Sequence, residues 1–242
     1  MGNKESASGP SVRAAGCGTG AIEEQRWIGS ALRETVAAPL LRVWTYPKPA
    51  VVLGCAQRAR SELAARAAAL QMELCVRPTG GGAVLAGPWL IGSSVVLPPR
   101  HPYIVESIPQ SFRWFGLAHA AWLQDAGIEA RAVPTAQTRN EESLSWACFA
   151  SLSHWEVEAG GGKIVGLSQA RRRSGVLFSS AVLVGPCPWG VLCEVLGQPR
   201  QHAAMLARIT SSCAQLLGGP MAPETLSQSL LQALSGALTG SA

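Results

Sequence analysis

Hydrophobic and polar positions divide this chain into short elements of both helical and strand period. Over residues 21–37 the spacing Ile22, Trp27-Ile28, Ala31-Leu32 and Thr35-Val36 predicts a helix, which Pro39 ends. Residues 41–44 and 50–54 read as strands joined by a proline-rich turn. Ser61 is placed to cap an alanine-rich helix over 62–71. Two apolar runs, 74–76 and the one that begins after Ala83, flank the turn Arg77-Pro-Thr-Gly-Gly-Gly-Ala-Val84. Residues 89–97 predict a buried strand ended by Pro98-Pro99. Ser107-Ile-Pro-Gln110 has the form of a capping box, and Phe112, Phe115, His119, Trp122 and Leu123 follow at helical spacing as far as Gly127. Aromatics so spaced belong to a core, and His119 among them is read as structural. Strands are expected at 128–133, 163–169 and 176–184, with a polar loop over 134–145, weak alternation at 154–158 and a turn at 159–162. Residues 198–217 and 224–238 carry leucines at three- and four-residue intervals, giving two amphipathic helices. The sum is an α+β fold, a mostly antiparallel sheet with helices packed on one side. Residues 1–19, rich in Gly, Ser and Ala without an apolar period, are expected as a disordered tail; 20–218 form the main domain and 219–242 a C-terminal helix.

Composition narrows the class. The chain has 242 residues, of which 48% are hydrophobic and 14% charged, enough to bury a substantial core. The net charge of +5 suits an acidic partner, yet no Lys/Arg block is long enough to argue for nucleic acid, and Arg171-Arg172-Arg173 reads as a solvated loop. Seven cysteines without a Cys-x-x-Cys pair fit neither a disulfide framework nor a metal site, so a reducing cytoplasmic setting is expected. No apolar run reaches the roughly 18 residues of a membrane span.

Candidate chemistry starts at the glycine turn. Three consecutive glycines remove Cβ atoms from one side of it, so main-chain N–H groups can approach an anion or an acyl carbonyl; a flexible surface turn is the other reading. A second segment, Gly162-Lys-Ile-Val-Gly-Leu-Ser-Gln-Ala-Arg171, lies roughly 80 residues on. Together the two resemble the lipoate–protein ligase, octanoyltransferase and biotin–protein ligase superfamily. Its lipoyl branch carries Arg-x-Thr/Ser-Gly-Gly-Gly-Ala-Val and Gly-Lys-Ile/Leu-x-Gly-x-Ala/Ser-Gln-x-Arg. The resemblance extends to Leu41-x-x-Trp44-x-x-Pro47-x-Pro49 and to Val51-Val-Leu-Gly-x-x-Gln57. The Gly-Arg-Gly-Arg loop and Lys-Trp-Pro-Asn-Asp segment of biotin ligases are not found.

What the resemblance implies is attachment of a lipoyl or octanoyl group to a lysine of a lipoyl carrier domain, of the 2-oxoacid dehydrogenase E2 or glycine cleavage H protein type. Lys163 matches the family lysine, a cation that stabilises charge growing on the acyl oxygen or a neighbouring phosphate. Cys148, in Trp146-Ala-Cys-Phe149, resembles the nucleophile segment of the cysteine-dependent octanoyltransferases, where a nearby ammonium favours the thiolate. A merely buried thiol is its other reading. Arg77, Thr79, Gly80, Gly81, Gly82, Ala83, Gly166 and Gln169 would bind the acyl group or a nucleotide. The donor would be an octanoyl thioester, with an acyl carrier protein as a further partner, or lipoate with ATP and Mg if the chain is a ligase. No tightly bound cofactor and no membrane partner are implied. Asn140-Glu141 stands upstream of where the ligases carry Asn-Asp, and Cys148-Phe149 occupies the comparable place, which favours the thioester route. The chain departs from the pattern with Val76-Arg77 before Pro78 where the loop often has Arg-Arg ahead of its Thr/Ser, with Ala86 where a histidine is common, and with Ser179-Ser180 where many relatives have His-Gly; Gly82 as third glycine is the ligase form, where cysteine transferases often have arginine. These leave a third reading open, a non-catalytic module that binds lipoyl domains.

Overall fold

The computed structural model describes residues 12–57, 61–137 and 142–240. Most of the expected tail and Asn140-Glu141 therefore lie outside the described residues. Ten strands are present among those described: β1 (Arg13–Thr19), β2 (Leu40–Thr45), β3 (Ala50–Leu53), β4 (Glu73–Val76), β5 (Val84–Ala86), β6 (Leu90–Leu97), β7 (Ala130–Ala132), β8 (Val157–Ala159), β9 (Gly162–Arg171) and β10 (Val176–Leu183). They form a seven-stranded sheet, β1-β2-β6-β10-β9-β8-β7, and a three-stranded one, β4-β3-β5. Pairing is antiparallel except for β1 with β2 and β3 with β4. The α+β class and the mostly antiparallel pairing read from the sequence are therefore observed, but helices stand on both faces of the main sheet rather than on one, because each face carries its own apolar layer.

Side-chain alternation sorts the main sheet into two faces. Val176, Phe178 and Val182 of β10 join Val95 and Leu97 of β6 in a core layer covered by α4 (Arg113–Asp125) and α8 (Pro223–Thr239); α2 (Ser61–Ala69) lies earlier in the chain, and the helix expected from Ser107 to Gly127 is divided at Phe112 into α3 (Ile108–Ser111) and α4. Leu226, Leu230, Leu234 and Leu238, one per turn or so of α8, supply the stripe that seals it. The opposite face carries Trp44, Tyr46 and Leu183 and is roofed by the three-stranded sheet together with α1 (Ala21–Ala31), α5 (Trp189–Leu196) and α6 (Gln201–Ile209). The cleft discussed below lies between that roof and the sheet. No described helix is long and apolar enough to cross a membrane.

Four further local outcomes differ from the sequence reading, each for a physical reason. Residues 13–19, expected as tail, form β1 beside β2; Gly18 is there because a Cβ would run into the Trp44 ring, and Gly16 (φ 83°) sits in a register shift between Ala14 and Cys17. Helix α1 stops at Ala31, six residues early, because the Leu32 carbonyl accepts from Ser174 Oγ and the Val36 amide donates to Ser174 O. The helix expected over 198–217 is two, α6 and α7 (Cys213–Leu217), because Thr210 bridges to Lys163 and the Ser211 amide donates to Lys163 O. Ser212 then restarts the helix through a capping box with Gln215. Helix α5 had no strong periodic signal between its flanking prolines and Gly197 (φ 65°), which ends it in a left-handed turn.

His119, on α4, is buried in the first face. Its Nδ1 lies 2.7 Å from Phe115 O, so that nitrogen carries the proton, and Nε2 accepts from Ser180 Oγ at 2.9 Å. Ser93 Oγ completes the chain, 2.6 Å from Ser180 Oγ. Burial lowers the His119 pKa to about 4, against the backbone bond that raises it. Because the folded value is depressed, the stabilisation is complete above the unfolded pKa near 6.5 and is lost as pH falls through 4. Urea denaturation between pH 7 and pH 4 is expected to show a stability loss to which His119 contributes on the order of 3 kcal/mol, and His119→Gln should remove that part of the slope.

Candidate active site

Arg77, at the end of β4, holds the glycine turn from beneath. Its guanidinium donates to Gly80 O (2.7 Å), Gly82 O (2.8 Å), Val52 O (3.3 Å) and Thr79 Oγ1 (2.9 Å). Thr79 Oγ1 passes the connection on, donating to Ser168 Oγ of β9 at 2.9 Å. A turn so clipped is a rigid backbone surface, and the segment carrying Cys148 lies directly on it. The Ala83 amide donates to Trp146 O (2.7 Å) and the Cys148 amide to Ala83 O (3.0 Å), while Gln57 Nε2 also donates to Trp146 O (3.0 Å). A Cβ on Gly82 would stand 2.5–2.7 Å from the Trp146 and Ala147 backbone, so only glycine lets the two segments meet. Gly54 is needed likewise, since its Cβ would overlap Gly81 O. Gly80 faces open space.

Lys163 stands on β9 opposite this segment, buried to 2% exposure. Its ammonium has three N–H groups and three oxygens to receive them: Glu156 Oε2 at 2.6 Å, Cys148 O at 2.8 Å and Ser151 O at 2.9 Å. The Phe149 ring lies 5.3 Å from Nζ. A Cβ placed on Gly166 would be 3.4 Å from Lys163 Cε, 3.6 Å from Cys148 Sγ and 3.7 Å from Glu156 Oε1. Amine stem, thiol and carboxylate thus converge on a notch that exists because residue 166 has no side chain.

From that notch a cleft opens over the main sheet towards Tyr46 and Leu90. Its floor is built of small residues in register, Gly166 paired with Ala181 and Ser168 with Ser179; the next residues across, Gly92 and Ser94, lie beneath Tyr46 and Glu24. Ile28, Val52, Val84 and Ala86 bring apolar surface from the other elements. At Gly92 the row ends, because the Tyr46 hydroxyl occupies the space a Cβ would take. Tyr46 donates to Glu24 Oε2 (2.9 Å) and Ser94 Oγ to Glu24 Oε1 (3.0 Å), while Trp44 Nε1 donates to Ser94 Oγ (3.2 Å). Burial raises the Glu24 pKa to about 7, against the two hydroxyl bonds and Arg77 that lower it.

Of the residues singled out from the sequence, Arg77, Cys148 and Gly166 line this cleft, Lys163 adjoins it at the notch, and Gly82 and Ala83 back the Cys148 segment. Ala86 and Ser179 line it as well. Gln169 is not brought in: it falls next to Ser168 on the strand, outside the cleft, and its Oε1 accepts from Arg171 Nε at 3.2 Å. Two carboxyls were missed. Glu24 shares the buried stripe of α1 with Ala21 and Ile28, and an acidic residue four positions before Ile28 on an apolar face was a legible signal. Glu156 had none, since its surroundings alternate only weakly.

Two expectations follow. Gly82→Ala should cost about 1–3 kcal/mol by overpacking and slow alkylation of Cys148, whereas Gly80→Ala should change stability by less than about 0.5 kcal/mol, both read by urea denaturation and timed iodoacetamide labelling. Glu24, with its folded pKa above the unfolded value near 4.5, gives stability that is complete below pH 4.5 and lost as pH rises through 7. Glu24→Gln should therefore flatten a decline on the order of 3 kcal/mol between pH 4.5 and 8 in the same denaturation assay.

The family model described as the lipoyl protein ligase A/B catalytic domain matches residues 21–235. The octanoyltransferase LipM of Kyrpidia tusciae is 31% identical over 209 residues, covering 83% of this chain and 76% of that protein. The octanoyltransferase LipM of Carboxydothermus hydrogenoformans is 30% identical over 148 residues, 61% of this chain and 54% of that protein. Against this relative and the one from Moorella thermoacetica, the match spans about half the relative's length, at 54% and 56%. Among solved structures, a bi-partite lipoate protein ligase from Thermoplasma acidophilum superposes with a TM-score of 0.72 at 20% identity, covering 94% of this chain and 84% of that one. A lipoate-protein ligase A bound with ATP gives 0.68 at 21% identity, with coverages of 96% and 86%. These likenesses carry the fold, and the family match over residues 21–235 carries the assignment: the chain belongs to the lipoyl protein ligase A/B catalytic domain family.

Proposed function

We propose that this chain transfers an eight-carbon acyl group, octanoyl or lipoyl, from a thioester donor to Cys148 and then to a lysine ε-amine of a lipoyl carrier domain. The observation that carries this reading is the small-residue row Gly166–Ala181–Gly92, which starts beside the Cys148 thiol and stops at the Tyr46 hydroxyl. Crossing two strand spacings covers about 9.5 Å. An extended chain from a carbonyl to the eighth carbon spans about 9 Å, at the roughly 3.8 Å per three bonds of a backbone. The Tyr46 hydroxyl occupies the last of these places, so the row supports a medium-length acyl chain with its carbonyl at the notch rather than measuring out eight carbons.

In the first step the Cys148 thiol gives up its proton and its sulfur attacks the donor carbonyl, the donor's carbon–sulfur bond breaks, and the departing sulfur takes up that proton. In the second the carrier amine attacks the Cys148 thioester, the amide forms, and the amine's proton passes to the released sulfur. Charge that grows on the carbonyl oxygen in both steps lies near the Lys163 ammonium, in a site shielded from water. That ammonium can donate to it directly by exchanging the Cys148 or Ser151 carbonyl, keeping its bond to Glu156. An acyl-adenylate route would ask the same three N–H groups to hold a phosphate as well, which favours the thioester. The family resemblance supports an acyl carrier protein thioester as donor and a lipoyl domain as acceptor, and the net charge of +5 suits an acidic partner.

Intact-mass measurement checks this. The protein incubated with an octanoyl thioester should gain one octanoyl group, absent in Cys148→Ala, and should pass it to an added lipoyl domain. Modification of the domain that requires ATP and free acid and survives Cys148→Ala would overturn the thioester reading in favour of a ligase, and no modification under either condition would favour the binding module.

A further inference from the structure

The nine residues from Cys148 to Glu156 form a loop that leaves the glycine turn and returns to β8, and its two ends meet at one ammonium. The Cys148 and Ser151 carbonyls come from its first half and the Glu156 carboxylate from its end. That carboxylate, with a side chain only 3% exposed, does more than balance charge. Its Oε2 also accepts the Ser153 amide of the loop at 2.6 Å, and its Oε1 accepts the Leu167 amide of β9 at 2.9 Å. Both oxygens are thus engaged by donors, one side facing the loop and the other the strand that bears Lys163 and Gly166.

The chain is bent to deliver it. Trp155, immediately before, has φ 64°, a left-handed conformation strained for a bulky residue. Its carbonyl fits because Gly116 on α4 lacks the Cβ that would overlap it. The Trp155 amide donates to Val133 O (2.6 Å) and the Val133 amide to Glu156 O (2.9 Å), fixing the backbone on both sides of the bend. Strain of this kind persists only where the surroundings over-determine it, and it falls one residue from a carboxylate that lies beside the thiol and the ammonium.

We propose that Glu156 is a positioning residue for acyl transfer: it seats the Lys163 ammonium and locks the Cys148 loop against β9, so that thiol and cation meet the acyl carbonyl at the Gly166 notch. The proposal deepens the transfer reading above and rests on it for its kinetic readout alone. A glutamine in this place cannot accept from both sets of donors. Whichever way its amide is turned, an NH2 group meets either the Leu167 amide or the Ser153 amide and Lys163, donor against donor.

The experiment compares wild type, Glu156→Gln and Glu156→Asp in the full chain, with melting curves to establish folding. An octanoyl thioester and a lipoyl domain give kcat and donor KM, and timed iodoacetamide labelling gives the reactivity of Cys148 without any acyl group. For Glu156→Gln, kcat is expected to fall about 100-fold with donor KM within about threefold, since misplacing reacting groups by about an ångström costs that much while the cleft is untouched. Glu156→Asp, with the charge kept and the reach one methylene short, should recover part of this, to about a tenfold deficit. Labelling of Cys148 should slow in the same order. The proposal is overturned if kcat in Glu156→Gln stays within about threefold of wild type, or if the loss lies in donor KM, or if Asp restores nothing. Should the Gln variant not fold, the Asp variant decides by the same measures, an unchanged kcat and labelling rate overturning it. If wild type takes up no acyl group, the transfer reading fails on its own, and the labelling series still tests the role of Glu156.

Discussion

An ammonium withdrawn from water keeps its charge only where oxygens replace its hydration shell. At Lys163 that replacement is complete, and two of the three oxygens are main-chain carbonyls of the segment that bears Cys148. The rest of the site follows from this. The segment cannot lift from β9 without uncovering a buried charge, and removing one partner of such a pair costs about 3–5 kcal/mol. For it to lie down, Gly82 must present bare backbone, and for Gly82 to stay in place Arg77 must hold the turn by its carbonyls. The location of the thiol is set by the demands of a neighbouring charge.

This arrangement revises what the triple glycine is for. Read as a string, three glycines suggest a cradle for an anion. In the fold, Gly82 serves a close approach between two backbones, Gly81 (φ 92°) makes the bend, and Gly80 looks onto open space. Arg77, which a motif reading assigns to a ligand, spends its donors on the turn itself, although its side chain still borders the cleft. A loop can be rich in glycine because something presses against it from the protein side.

How much was legible depended on whether the cause was local. The capped helix after Ser107, the strand ended by Pro98-Pro99 and the leucine stripe of α8 are properties of neighbours in sequence, and they are where the pattern placed them. Lys163 and Cys148 were singled out by resemblance rather than by local pattern, and the fold brings the Cys148 carbonyl to the Lys163 ammonium. What escaped was caused from far away. Gly18 reads as tail until the Trp44 ring is seen lying on it, and residues 210–211 read as helix until they pair with the start of β9. Glu156 meets Lys163 and Leu167 through a bend at Trp155 that no spacing rule anticipates. Glu24 lay between these cases, on a helix face whose period was visible and whose acidic member went unremarked.

The floor of the cleft has a further consequence. Because its residues belong to three neighbouring strands, Gly166, Ala181 and Gly92, available depth is graduated by the width of a strand, about 4.8 Å, or close to four carbon–carbon bonds of an extended chain. A fold of this type that needed a different chain length could not adjust it smoothly by trimming one wall. It would have to move its stopper from one rung to the next, filling the middle rung to shorten the span or vacating the last to lengthen it, so that acyl preference in such a scaffold changes by jumps rather than by degrees.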